Sequence, residues 1–442
     1  MTRPPDTPEV RTLARVKRRL LPFLFLMYVT ELLTRGNVGL AALQMRGDLG
    51  FSATVFGFGA GVFLFGYSPF AVPSNLIVAR VGARRWIPVV LIGSGVFGSA
   101  MMLVRSPLSF YAMRFLLGVA EAGFFPAVIY YLGGWMPAEQ RARVTAQFMT
   151  AIPVSGVVSG ALAAPLLALN GRLGLAGWQW LFLIDGLPAV VLGVLAYSFL
   201  TDEPAQAQWL RPEERAWLVE RLQMERAAPV DGRSGGLRDA LADPALYWLG
   251  LLNFLVMASA YAKGVWSPQM IKAASHLGDS QVSLLTSLIA GASVIAMLAN
   301  GAHSDLRRER RLHIAVPAML MALGWFLCAG TDSGALTVFA LTMVAVGMNS
   351  QYGPFWTLPA AKLSGRARAA GIAVTGALGT AGGFVGLFLV GWIRDLTGAY
   401  RLAFLVLGLM ACVAALLAIR RTGIVPSGAH GVDRPTTTRN AG

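Results

Sequence analysis

The stretch NLIVARVGARR at 75–85 is answered 225 residues later by NGAHSDLRRERR at 300–311, and each follows a long apolar run. At the same offset Arg141-Ala-Arg143 is matched by Arg366-Ala-Arg368, and each pair precedes a glycine-rich run. Two markers at one offset predict a parallel duplication of a six-helix unit. Working outward from these markers, apolar runs of about 20 residues, the length that crosses roughly 30 Å of hydrocarbon as a helix, recur along almost the whole chain. Twelve spans are expected, at 20–41, 54–78, 86–104, 108–133, 144–169, 179–200, 245–271, 281–303, 313–330, 335–360, 369–392 and 402–420.

Composition agrees. Of 442 residues 55% are hydrophobic and only 13% charged, against about 25% charged in soluble domains. The fold class is therefore an all-α polytopic membrane protein of two six-helix halves. The expected division is a cytoplasmic N-terminal segment (1–19), an N-terminal half (20–200), a cytoplasmic linker (201–243), a C-terminal half (244–421) and a cytoplasmic disordered tail (422–442). Within the linker, Trp217, Leu218 and Leu222 give 212–226 the spacing of an amphipathic helix.

The net charge of +15 would suggest nucleic acid in a soluble protein. Its placement excludes that reading: 28 of the 37 Lys and Arg fall on the side that carries both termini, and only Arg46, Arg105, Arg172, Lys272, Arg394 and Arg401 on the other. That is the positive-inside pattern of an inner-membrane protein with cytoplasmic termini. The first span carries Glu31 and Arg35 and lacks a small-x-small cleavage site, so it reads as an uncleaved helix. Cys328 and Cys412 lie in apolar spans and the four histidines are scattered, so no disulfide framework, metal site or cofactor is expected. An enzyme would need a nucleophile with a base or a metal cluster, and a receptor a sizeable soluble domain; neither is legible.

Charges inside the bilayer cost about 2.5 to 3.5 kcal/mol each and default to functional hypotheses. Arg114 and Glu121 are seven residues apart on one face of span 4, a proton-coupling arrangement or a buried ion pair. Arg35 offers a planar fork to a substrate carboxylate, with Asn37 beside it. Glu31, four residues earlier, either neutralises Arg35 or carries a proton. Lys263 is a second cationic contact or a snorkelling side chain, flanked by Tyr261. Tyr261 and Trp356 line a substrate cavity or belong to the core or the lipid-facing surface. Asp185 reads as structural. Gly156, Gly160, Gly379, Gly383 and Gly386 fit close contacts between moving helices or ordinary packing. Arg80, Arg84, Arg85, Asp305 and Arg307 are loop charges that fix topology or gate.

Five stretches carry a resemblance: 57–86 (GFGAGVFLFGYSPFAVPSNLIVARVGARRW), 114–137 (RFLLGVAEAGFFPAVIYYLGGWMP), 177–193 (GWQWLFLIDGLPAVVLG), 303–311 (HSDLRRERR) and 354–365 (PFWTLPAAKLSG). From Tyr28 to Thr422 the chain resembles the major facilitator superfamily, in its anion:cation symporter branch of sugar-acid, tartrate and phthalate permeases. The resemblance implies uptake of an organic anion with protons, with Arg114 and Glu121 in coupling and Arg35 in substrate binding. It departs at Thr34, where the family pattern has Asp, and at Gly376 and Thr380, where it often has Asn. The expectation is a monomeric proton symporter of a small carboxylate; an electroneutral exchanger or an exporter of the same fold is the alternative.

Overall fold

The computed structural model describes residues 8–227, 244–307, 309–362 and 365–421. The glycine-rich part of the linker, at 231–236, and the tail from 422 onward lie outside the described residues. Among the described residues every regular element is a helix. Eleven are long and apolar enough to cross a membrane: 53–81, 83–103, 107–135, 138–167, 177–199, 246–274, 279–307, 311–330, 334–358, 371–397 and 401–420. They correspond to expected spans 2 to 12.

Span 1 is the exception because of its charges. It forms a helix over Pro8–Gly36, pauses at Asn37 and continues over Val38–Leu49. The helix starts at Pro8 rather than 20, so most of the expected N-terminal segment is the first turns of span 1. Its own face of Leu20, Leu24 and Met27 is fully buried, which explains why Arg18, Arg19, Glu31 and Arg35 do not prevent it from packing.

Local chemistry sets the boundaries. Ser52 caps span 2 by accepting the Val55 amide at 3.2 Å. Ser106, followed by Pro107 at the first helical position, forms a capping box with Ser109 at the start of span 4. Gly82 joins spans 2 and 3 with φ 85°, a left-handed conformation in which a Cβ would also meet the Asp202 carboxylate. That carboxylate accepts the Arg84 amide at 2.9 Å, at the N-terminus of span 3.

The linker helix, Pro212–Ala227, packs back on the first six spans. Arg15 pairs with Glu214 at 2.7 Å and Arg141 with Glu225 at 3.1 Å. Such half-exposed pairs are worth about 0 to 1 kcal/mol each. The buried Leu218 and Leu222 supply more, roughly 1.5 to 3 kcal/mol each.

The first six spans and the last six are joined at the end away from the termini. Gln44 donates to Asp279 at 2.9 Å, Arg46 to Gln269 at 2.5 Å, and Lys272, itself paired with Asp279 within the last six at 2.5 Å, to the Leu43 carbonyl at 3.1 Å. Asp395 accepts the amides of Ala53 and Thr54 at the start of span 2. Among the described residues no hydrogen bond or ion pair joins the two sets at the opposite end. Gly156 and Gly160 lie in this contact, Gly160 against the Ser283 backbone and Gly156 against Ala290. Gly379, Gly383 and Gly386 instead receive Asn253, Tyr261 and Ala258 of span 7 within the second set.

A side chain at Gly160 would drive spans 5 and 8 apart. Gly160→Val should therefore make a cysteine substituted at Ala42, which is 3% exposed, react several-fold faster with a membrane-impermeant maleimide. Unchanged labelling would show that this glycine does not hold the closed end.

Candidate functional site

Two interrupted helices meet at mid-depth. Span 4 breaks immediately after Glu121, at Ala122-Gly123, and resumes at Phe124. Gly123 sits where any Cβ would collide with Ser74, whose hydroxyl accepts the Trp86 indole N–H at 2.7 Å. Span 1 breaks just beyond Arg35, at Asn37. Broken helices at membrane depth are tolerated where they line a protein-filled or water-filled site.

The break positions the Glu121 carboxylate against span 1. One oxygen, Oε2, accepts Arg35 Nε–H at 2.9 Å; the other, Oε1, lies 2.9 Å from the Thr34 hydroxyl and accepts from Ser94 at 3.2 Å. Arg35 also gives Nη2–H to Glu31 at 3.0 Å. One guanidinium thus serves two carboxylates, each 0–1% exposed. The Thr34 hydroxyl also lies 2.7 Å from the Glu31 carbonyl oxygen, so its single proton serves that carbonyl or Glu121, not both at once.

A second guanidinium stands close by without an acid. Arg114 donates Nη2–H to the Ala60 carbonyl at 3.3 Å, while its Nε and Nη1 are buried with no partner. Both cations address one aromatic floor: Phe63 lies 5.1 Å from Arg35 and 4.9 Å from Arg114, with Tyr67 4.6 Å from Arg35. Tyr261 of span 7 lies near Arg35, Glu121 and Arg114 across the midline. Spare capacity is present here: two donor atoms of Arg114 and one oxygen of Glu31, Oε2, have no partner. Buried polar atoms left open cost about 1 to 3 kcal/mol each. The open donors of Arg114 suit a bound anion, and the open oxygen of Glu31 suits a proton.

The family model of the Major Facilitator Superfamily matches residues 24–387. This chain belongs to that superfamily. A relative from Agrobacterium vitis, named "Putative tartrate transporter", is 45% identical over 392 residues, 89% of this chain and 90% of the relative. Another, "Putative metabolite transport protein NicT" of Pseudomonas putida, is 39% identical over 87% of this chain and 88% of its own. The solved structure of a bacterial homologue of the human lysosomal transporter Spinster, inward-facing and unoccupied, superposes with a TM-score of 0.74 at 16% identity. It covers 94% of this chain and 97% of that one. The major facilitator fold and a transport role are thereby established.

Within this transporter the cluster unites Arg35, Glu31 and Glu121, with Arg114 and Tyr261 beside it. Arg114 and Glu121 share a face but do not bond, since Glu121 turns to Arg35. Asn37 faces away, donating to Asp185 at 3.4 Å. Lys263 makes no hydrogen bond or ion pair among the described residues, two positions from Tyr261 on the other side of its helix. Trp356 packs with Phe355 and Tyr352 at 5.3 and 6.4 Å rather than with the cluster. Arg84 gives Nε–H to the Tyr197 carbonyl at 3.1 Å, and Asp305 pairs with Arg310 at 2.7 Å rather than with Arg307. Arg80, Arg85 and Arg307 are exposed. Thr34, noted in the sequence only as a departure from Asp, supplies a hydroxyl to the cluster, and Ser94, Phe63 and Tyr67 join it without having been singled out. A hydroxyl or a phenyl ring in an apolar run carries no periodic or charge signal.

Thr34→Val leaves Glu121 Oε1 with the longer Ser94 bond alone, a loss of about 1 kcal/mol. Its melting temperature in detergent should fall, while Thr34→Ser should match the parent. Equal melting of the Val and Ser variants would remove the hydroxyl from the cluster's support.

Proposed function

We propose that this transporter imports a small organic carboxylate by proton symport, alternating access between two rocking six-helix halves. The observation that carries this reading is the shared guanidinium: Arg35 is held by Glu31 and Glu121 while Arg114 beside it has no acid. A substrate carboxylate drawn to Arg114 also competes for Arg35, whose fork suits a planar anion. The acid it displaces loses its counter-ion inside the bilayer and becomes the acceptor for the co-transported proton. Glu121, fully buried and bonded to Arg35 through one oxygen, has that role. Glu31 takes the place of the acid absent at Thr34.

The chemistry favours a dicarboxylate or an aromatic acid: one guanidinium for each end of a diacid, or Phe63 and Tyr67 beneath a ring. The names carried by the two relatives, for tartrate and metabolite transport, support the carboxylate class. The basic excess on the side of the termini supports an orientation in a bacterial inner membrane with both termini cytoplasmic, and the transporter is proposed to act as a monomer. On that orientation the joined end is periplasmic and the site opens inward. A monoanion entering with one proton is electroneutral, whereas each uncompensated charge is worth about 2.3 kcal/mol per 100 mV, so charge movement reads the stoichiometry.

Proteoliposomes with an internal pH dye test the reading against sugar acids, dicarboxylates and aromatic acids. One class should acidify the lumen, and Glu121→Gln should abolish accumulation while retaining exchange of labelled substrate. Exchange without proton entry in the parent protein would replace symport by exchange. Arg35→Lys should weaken substrate binding about tenfold or more, because an ammonium cannot reproduce the bidentate fork. Unchanged affinity would leave Arg35 as a counter-ion only.

A further inference from the structure

At the termini end of the first six spans, away from the carboxylate cluster, two cavities of about 530 and 520 Å³ adjoin at Arg19, Phe199 and Trp209. Arg15 and Arg18 line the first and Arg84 the second. Arg19 lies between two aromatic faces, 4.6 Å from Phe199 and 5.0 Å from Trp209. Trp209 in turn stacks on the buried Trp135 at 5.4 Å. The guanidinium and the indole are therefore fixed in place, yet Arg19 Nε and Trp209 Nε1 are buried with no hydrogen-bond partner. With Trp135 Nε1 behind them also unpaired, three donors left open in one place mark a missing acceptor.

The acids nearby do not supply it. Glu214 is taken by Arg15 and by the Arg211 amide, and Asp202 by the Arg84 amide. Among the described residues the side chains of Arg18, Arg19 and Arg84 have no acidic partner.

What lies below the basic mouth decides the ligand. Phe199 ends span 6, and Leu187, Val191 and Leu195 of that helix form an exposed apolar stripe at intervals of four residues leading to it. Phe23 of span 1 packs on Phe199 with ring centroids 4.2 Å apart and planes tilted by 31°, and Leu26, one turn further into the span, is exposed. Spans 1 and 6 pack together, so a basic, donor-rich mouth stands over an exposed apolar face. A soluble phosphate would use the mouth and leave that face uncovered.

We infer that this is a binding site for an anionic phospholipid: the phosphodiester accepts from Arg19 and Trp209 with Arg18 and Arg84 around it, and acyl chains lie along span 6. Basic pockets between helix ends on the cytoplasmic face suit such headgroups, and each arginine near the surface adds about 1 kcal/mol. A bound lipid of this kind fastens the start of span 1, the end of span 6 and the linker to one another.

Native mass spectrometry of the full-length protein in neutral detergent tests this, with phosphatidylglycerol, phosphatidylcholine or glycerol 1-phosphate added. Phosphatidylglycerol should bind at least tenfold more tightly than phosphatidylcholine. Arg18→Gln, an exposed position, should weaken it roughly fivefold, and Arg18→Gln with Arg19→Gln roughly 25-fold. Neither should change phosphatidylcholine binding. Substrate counterflow by the same variants checks that they are folded, and the single variant decides if the double one is not. Wild-type affinity for phosphatidylglycerol in Arg18→Gln would overturn the assignment. Displacement of the lipid by glycerol 1-phosphate at similar concentration would overturn it too, leaving a soluble-anion site.

Discussion

Holding charge inside hydrocarbon is what the transporter must manage, and it does so by sharing one guanidinium between two carboxylates. Arg35 reaches Glu31 within its own helix and Glu121 across to span 4. Either acid alone would neutralise it. With two, one acid can leave and the arginine still keeps a partner. The break in span 4 after Glu121, the Gly123 contact with Ser74 and the hydroxyls of Thr34 and Ser94 all hold that second acid at the meeting point.

The joined end of the molecule is built on other terms. Asp279 ties Gln44 to Lys272, and Asp395 accepts two backbone amides at the start of span 2. These are polar contacts made at an exposed or part-buried rim, each worth about 0.5 to 1.5 kcal/mol and reversible without opening an apolar core. Behind them Gly160 meets the Ser283 backbone, and the hydroxyls of Ser280 and Ser287 donate to the Ala164 and Val157 carbonyls at 2.7 Å.

The helices were legible in the sequence because a bilayer leaves them no alternative: about 20 apolar residues can satisfy their backbone only as a helix. Span 1 was legible despite its charges, though not its start at Pro8, because polar turns outside the bilayer carry no hydropathy signal. The cluster was half legible. Arg35 and Glu31 follow from their spacing of four, and the structure joins them. The same-face placement of Arg114 and Glu121 was readable too, but seven residues rise about 10.5 Å, beyond bonding reach. Glu121 therefore had to find its partner on another helix, and no spacing within span 4 reveals which. Asn37 and Lys263 illustrate the limit: sequence gives depth in the membrane but not the direction in which a helix turns.

The pair made within span 1 has a consequence for biogenesis. A nascent helix leaving the translocon meets lipid before its later neighbours exist, and a lone arginine at that depth would oppose its partitioning. Because Glu31 lies one turn from Arg35 on the same segment, the two can enter as a dipole rather than as separate ions. Span 4 arrives afterwards with Glu121, and the arginine is by then already in place to receive it.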